Sequence, residues 1–237
     1  VLTPVFVCQD GFITSHCYEA VELLDDGTVK NFVGERSPHY PLLDVDNPVS
    51  YGSFTMSEYY FEIKRNQMEG MNNVFKVYSE LSSELSKETG REYEPIDAYK
   101  ADDADYLIII MSSAAGVVKD VVDEMREDGI KAGCLRIRFF RPFPKDDLMR
   151  LVSGKKGVAV LDRSASIGGT APLAAEVKSA LYSLEQRVPV QEYIFGLGGR
   201  DFYPKDAEKV FCSLAEDNYS AKVRYIGLLE REDQNVY

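Results

Sequence analysis

Apolar and polar positions change rhythm along the chain, and each rhythm predicts a different kind of structure. From about Asp103 onward, short apolar runs alternate with amphipathic segments. Tyr106–Met111 (YLIIIM) is apolar throughout, as expected of a strand in a sheet covered on both faces. In Ala132–Phe139, Arg136 and Arg138 alternate with apolar neighbours, and Gly157–Leu161 and Val190–Phe195 read as two further strands. Helical patterns fall between them at Val117–Asp128, Asp146–Val152 and Pro172–Tyr182, and another helix starts near Pro204, a favoured first-turn position. This alternation predicts an α/β fold, a mainly parallel sheet with helices on both faces. Val223–Leu228 is a short candidate strand before a charged end.

The rest of the chain has a different texture. Phe61, Met68, Met71, Phe75, Tyr78, Leu81 and Leu85 recur at helical steps, which predicts one long helix from Thr55 to Thr89, stopped at Gly90. Its methionines read as packing residues, and Gly70 as a point of bending or close approach. Before it, Val5–Cys8 reads as a buried strand and Tyr18–Leu24 as a second, closed by a turn at Asp25-Asp26-Gly27. Pro38, Pro41 and Pro48 make Asn31–Ser53 an extended, irregular arm of the kind that crosses between domains or lies along a partner. The expected division is therefore 1–53 arm and first strands, 54–101 long linking helix, 102–217 sheet domain and 218–237 tail.

Composition narrows the function classes. The 237 residues are 45% hydrophobic and 28% charged, enough for a sizeable core. The net charge of −12 repels phosphate backbones, so no nucleic-acid partner is expected. No apolar run reaches the ~20 residues that span a bilayer, and no signal-peptide pattern opens the chain, so no membrane partner and a cytoplasmic location are expected. Cys8, Cys17, Cys134 and Cys212 are too scattered for a zinc or iron–sulfur ligand set, and with only His16 and His39 no metal site is expected.

In such sheets ligands bind at the carboxyl ends of strands. Four loops qualify: 112–116, 139–144, 162–169 and 196–201. Gly196, Gly198, Gly199, Arg200 and Asp201 form a GLGGRD loop that reads either as an anion cradle or as a tight turn in which Arg200 and Asp201 pin neighbouring loops. It has neither the lysine of a P-loop nor the full dinucleotide fingerprint. Ser112 and Ser113 read as helix caps or as a close-approach turn, and Asp162-Arg163 as a salt-linked brace or a partner contact. No histidine lies in this region to activate a serine. In the segment VFVCQDGFITSH, His16 is the one candidate acid or base, with no partner evident in the local sequence.

The strings DGFITSH, ADDADYLIIIMSSAAG, LRIRFFRPFP, VLDRSASIGG and YIFGLGGRDFYP, in that order, resemble the alpha subunit of pyruvate:ferredoxin oxidoreductase and related 2-oxoacid:acceptor oxidoreductases up to about Cys212. The resemblance implies a transketolase carboxyl-terminal-like domain. It also implies an enzyme that decarboxylates a 2-oxoacid with thiamine diphosphate and Mg, passes two electrons through iron–sulfur clusters to ferredoxin, and releases the acyl group to coenzyme A. The beta subunit would hold the cofactor's diphosphate and metal, other subunits would carry the clusters, and beta, gamma and delta subunits would be the partners.

The family's pyrimidine-binding domain lies mostly before the DGF segment and carries the glutamate that contacts the cofactor. The expectation is therefore a carboxyl-terminal portion that binds no cofactor and has no catalytic residue. Asp10, Phe12, Ser15 and His16 would stand at its cofactor-domain end, and Gly198, Gly199, Arg200 and Asp201 in a turn facing another domain or subunit. An exposed apolar surface on the arm and first strand is expected with this reading. The alternative is a free-standing α/β module that binds a phosphate-bearing ligand such as coenzyme A at the GLGGRD loop.

Overall fold

The computed structural model describes residues 1–35 and 37–229. They form two compact units: Val1–Phe6 with Tyr18–Tyr93, and Val7–Cys17 with the chain from Glu94 onward.

In the first unit, α1 (Asp26–Val33) stands where a turn was expected. Asp25 explains it: the side chain accepts hydrogen bonds from the Thr28 amide at 3.0 Å and the Thr28 hydroxyl at 2.6 Å, the geometry of a helix N-cap. The single long helix is in fact two, α2 (Ser57–Asn72) and α3 (Val74–Thr89), broken at Asn73. The Asn73 side-chain amide donates to the Glu69 carbonyl at 3.3 Å while its backbone N–H turns to Gly70 at 3.2 Å. A side chain has thus taken the acceptor that the helical ladder would use. Gly90, in the left-handed region at φ +67, ends α3 as the sequence suggests.

Neither strand expected near the amino terminus forms. Val5, Phe6 and Val7 are 80–94% exposed, because an apolar run becomes a strand only when a sheet edge pairs its backbone. Leu43, Phe54 and Phe61 are also largely exposed. Residues 37–53 are irregular, as their prolines predict, with Asp44 accepting from the Asp46 and Asn47 amides in a side-chain-stabilised turn.

The second unit holds a six-stranded sheet. Its strands are β1 (Ile96–Tyr99), β2 (Tyr106–Met111), β3 (Ala132–Ile137), β4 (Gly157–Asp162), β5 (Val190–Ile194) and β6 (Arg224–Tyr225). Their order is β1-β3-β2-β4-β5-β6. Only β1 runs antiparallel to its neighbour. The helices are α4 (Ala114–Glu127), α5 (Lys145–Val152), α6 (Pro172–Leu181) and α7 (Pro204–Ala215). The sheet overruns the 102–217 boundary on both sides, with β1 in the stretch assigned to the linking helix and β6 in the assigned tail. Residues 230–237 of that tail lie outside the described residues.

Side chains alternate across the sheet with period two. Leu107 and Ile109 face α5 and α6 on one side, and Ile108 and Ile110 face α4 and α7 on the other, each group in its own buried cluster. Arg136 on β3 and Arg138 just after it have a use that their alternation did not reveal. Asp97 on β1 receives Lys119 at 2.8 Å, Arg136 at 2.6 Å and Arg138 at 3.4 Å. One carboxylate therefore gathers three cations and staples the antiparallel edge strand to β3 and α4. Burial works to raise the Asp97 pKa, but the Lys119 hydrogen bond and the three positive charges outweigh it and hold it low. Among the described residues, no helix is long and apolar enough to cross a membrane.

Candidate functional site at the carboxyl rim of the sheet

Strands β2 and β4 are neighbours, yet the chain leaves them toward opposite faces, to α4 on one side and α6 on the other. Such a divergence opens a crevice, the usual ligand position in open α/β sheets. Ser112, the residue after β2, has φ +63, a strained value for a residue with a Cβ. Ser113 follows, and its side chain makes no capping bond to α4.

Its partner comes from 103 residues earlier in the chain. The Ser113 amide donates to Asp10 Oδ2 at 2.8 Å, and the Ser113 hydroxyl donates to the same oxygen. Arg163, the residue after β4, faces Asp10 Oδ1 at 3.7 Å. Burial tends to raise the Asp10 pKa, but the bonds from Ser113 and Ser112 and the Arg163 charge prevail and lower it. Arg163 also lies over the Phe195 ring at 5.1 Å. It presses on Gly196, where an added Cβ would fall 2.9 Å from the Arg163 Nε. The first glycine of GLGGRD is thus explained by the close approach of an arginine, at φ +64.

The turn carrying Asp10 braces itself. The Ser15 amide donates to the Asp10 carbonyl at 3.3 Å and the Phe12 amide to Ser15 Oγ at 3.0 Å. Ser15 Oγ lies 2.7 Å from His16 Nδ1, and the rings of Phe12 and His16 stack at 4.6 Å. Asp10, Phe12, Ser15 and His16 therefore form one block, and the serine missing from the local reading of His16 is its own neighbour.

Asp162 and Glu192 are buried carboxylates with structural duties. Asp162 accepts the Ser164 amide at 3.1 Å and the Leu173 amide at 2.6 Å, tying β4 to the start of α6. Burial raises its pKa against the opposing pull of these bonds. Glu192 accepts the Ala171 amide at 3.1 Å and pairs with Lys178 at 2.5 Å.

The other half of the sequence-derived candidates lies in the β5–α7 loop. Leu197–Gly199 forms a single 3₁₀ turn, with Gly198 and Gly199 at φ +66 and +80. Arg200 donates to the Gly227 carbonyl, and Asp201 accepts the Tyr203 hydroxyl at 2.9 Å. A shallow cleft of about 70 Å³ beside them is lined by Ile194, Leu197, Arg200, Tyr225 and Gly227. Each polar side chain of this loop has an internal partner, so the cradle holds its own chain. Asp10 and Arg200 were both singled out in sequence; the union of Asp10 with Ser113 and Arg163 was not. Its one signal was an aspartate and an arginine at separate strand ends beside a serine pair.

An α/β unit whose switch point is closed by its own chain is the class that the fold and rim define. Residues 104–207 match the family described as pyruvate:ferredoxin oxidoreductase core domain II. Residues 1–83 match pyruvate flavodoxin/ferredoxin oxidoreductase, thiamine diP-bdg. The chain is 46% identical over 231 residues to pyruvate synthase subunit PorA of Thermotoga maritima, covering 97% of this chain and 59% of that protein. It is 36% identical over 230 residues to ketoisovalerate oxidoreductase subunit VorA of Pyrococcus horikoshii, covering 97% and 57%. A solved 2-oxoglutarate:ferredoxin oxidoreductase from Magnetococcus marinus overlaps 73% of this chain and 25% of its own, with TM-score 0.48 and 17% identity. The chain belongs to the alpha-subunit family of 2-oxoacid:ferredoxin oxidoreductases, and it spans somewhat over half the length of these curated relatives.

Proposed function

We propose that this chain is part of the alpha subunit of a thiamine diphosphate-dependent 2-oxoacid:ferredoxin oxidoreductase acting on pyruvate in the cytoplasm, and that this portion serves structure and subunit docking. The whole enzyme would cleave the bond between the carboxyl and carbonyl carbons of the 2-oxoacid and release CO2. Two electrons would pass through iron–sulfur clusters to ferredoxin, and the acyl group to coenzyme A as acyl-CoA. Beta, gamma and delta subunits would be its partners. The observation that carries the reading is the 46% identity to a pyruvate synthase subunit along nearly the full chain.

Thiamine diphosphate would require of this chain a carboxylate free to face the aminopyrimidine, or metal ligands for the diphosphate. Asp10, Asp162 and Glu192 are engaged by internal donors. Among the described residues no group of three or more His, Cys, Asp and Glu converges for a metal ion. Asp10, Asp162 and Glu192 therefore do not supply that carboxylate, residues 1–83 match a family described as thiamine diP-bdg, and the proposal leaves the remaining cofactor ligands to other parts of the enzyme. A phosphate or coenzyme A site at GLGGRD is the second reading, and the engagement of Arg200 by Gly227 weighs against it.

Titration calorimetry on the isolated chain separates these readings. The proposal expects no heat of binding from Mg-thiamine diphosphate or from coenzyme A. Tight binding of the first would overturn the docking role, and tight binding of the second would establish the free-standing module.

A further inference from the structure

We propose that Asp10 is an internal ligand, a latch that seats the Val7–Cys17 turn in the crevice between β2 and β4 and fixes the Phe12–His16 ring pair there. This inference concerns the chain's own residues and stands whether or not the enzyme reading holds.

Burial does not hold the turn in place. Val7, Phe12 and Ile13 are 94%, 81% and 50% exposed, so its apolar side chains gain little from the sheet. The Asp10 side chain, by contrast, is only 14% exposed. One of its oxygens takes both donors of Ser113, at the start of α4, and the other faces the Arg163 guanidinium. A helix amino terminus and an arginine both favour an anion, and hydrogen bonds to an ionised group are roughly twice as strong as neutral ones. The crevice that would admit a ligand in a related architecture is thereby filled by a carboxylate of the same chain.

The turn transmits this anchoring. The Ser15 amide is bound to the Asp10 carbonyl, Ser15 Oγ takes the Phe12 amide, and the same oxygen contacts His16. The placement of the stacked rings thus depends on the seat of one carboxylate. A sequence reader sees a DGF turn; the fold converts it into a strap whose release requires breaking a charge-assisted contact.

Hydrogen exchange followed by mass spectrometry on the whole chain tests the latch, with Asp10→Ala and Asp10→Asn compared against the unaltered protein. In Asp10→Ala, amides of residues 7–17 and 113–116 should exchange about tenfold faster or more, while those of β2 and β4 keep their protection. Asp10→Asn keeps an acceptor for Ser113 and loses the attraction to Arg163, so its exchange should fall between the two. An unchanged turn in Asp10→Ala, an acceleration that spreads through β2 and β4, or full protection in Asp10→Asn would each overturn the proposal.

Discussion

Replacing Asp97 by alanine should cost the second unit about 2–3 kcal/mol of stability. The size follows from what the carboxylate holds. Lys119, Arg136 and Arg138 converge on it, and their side chains are only 26%, 33% and 27% exposed. Removing one partner of a fully buried ion pair costs about 3–5 kcal/mol, because a desolvated charge is left alone. Here water reaches a quarter to a third of each cation and relieves part of the penalty. Asp97→Asn keeps an acceptor for one donor and should lose less, about 1–2 kcal/mol.

The chain has no tryptophan, so urea unfolding followed by far-ultraviolet circular dichroism is the suitable assay. The Asp97 pKa lies below the ordinary 3.8 in the folded chain. Its contribution is therefore complete above that ordinary value and is lost as pH falls through the lower folded value. The gap between Asp97→Ala and the unaltered chain should hold steady from about pH 8 to 6 and close below about pH 4. Equal stability at pH 7, or a gap that widens on acidification, would show that Asp97 does not hold these three cations.

Other positions make sharp tests as well. Gly196→Ala places a Cβ at φ +64 and 2.9 Å from Arg163 Nε, and should lower stability by about 1–2 kcal/mol in the same urea assay. Tyr219 has a buried hydroxyl with no partner among the described residues and a pKa pushed to about 12 by burial. Tyr219→Phe should therefore be neutral or stabilising by up to about 1 kcal/mol in thermal melts. Thiol titration of the native chain should modify exposed Cys8 and Cys17 first. Cys134, buried and raised to about 12, should react only after denaturation.

The sheet domain was legible in sequence because its strands carry local signals. YLIIIM and GVAVL are apolar on both faces, and the bounds of the first match β2 residue for residue. β1 escaped notice because IDAY has no apolar run, and its place depends on Asp97 meeting Lys119 of α4, Arg136 of β3 and Arg138 just beyond it. The break between α2 and α3 was hidden in one asparagine side chain. The apolar stretch around Phe6 misled because hydrophobicity alone does not supply a pairing edge. Rim residues divide similarly. Gly198, Gly199 and Arg200 were visible as a motif, whereas the Asp10–Ser113–Arg163 contact joins three segments that only the fold brings together.

Anaerobic affinity purification through a tag on the protein that carries this chain asks whether it works as part of a 2-oxoacid:ferredoxin oxidoreductase. Iron–sulfur subunits should co-purify in fixed stoichiometry, and the preparation should show pyruvate-dependent reduction of a viologen dye that also requires coenzyme A. A protein that elutes without such subunits and reduces no dye with any 2-oxoacid would contradict that role.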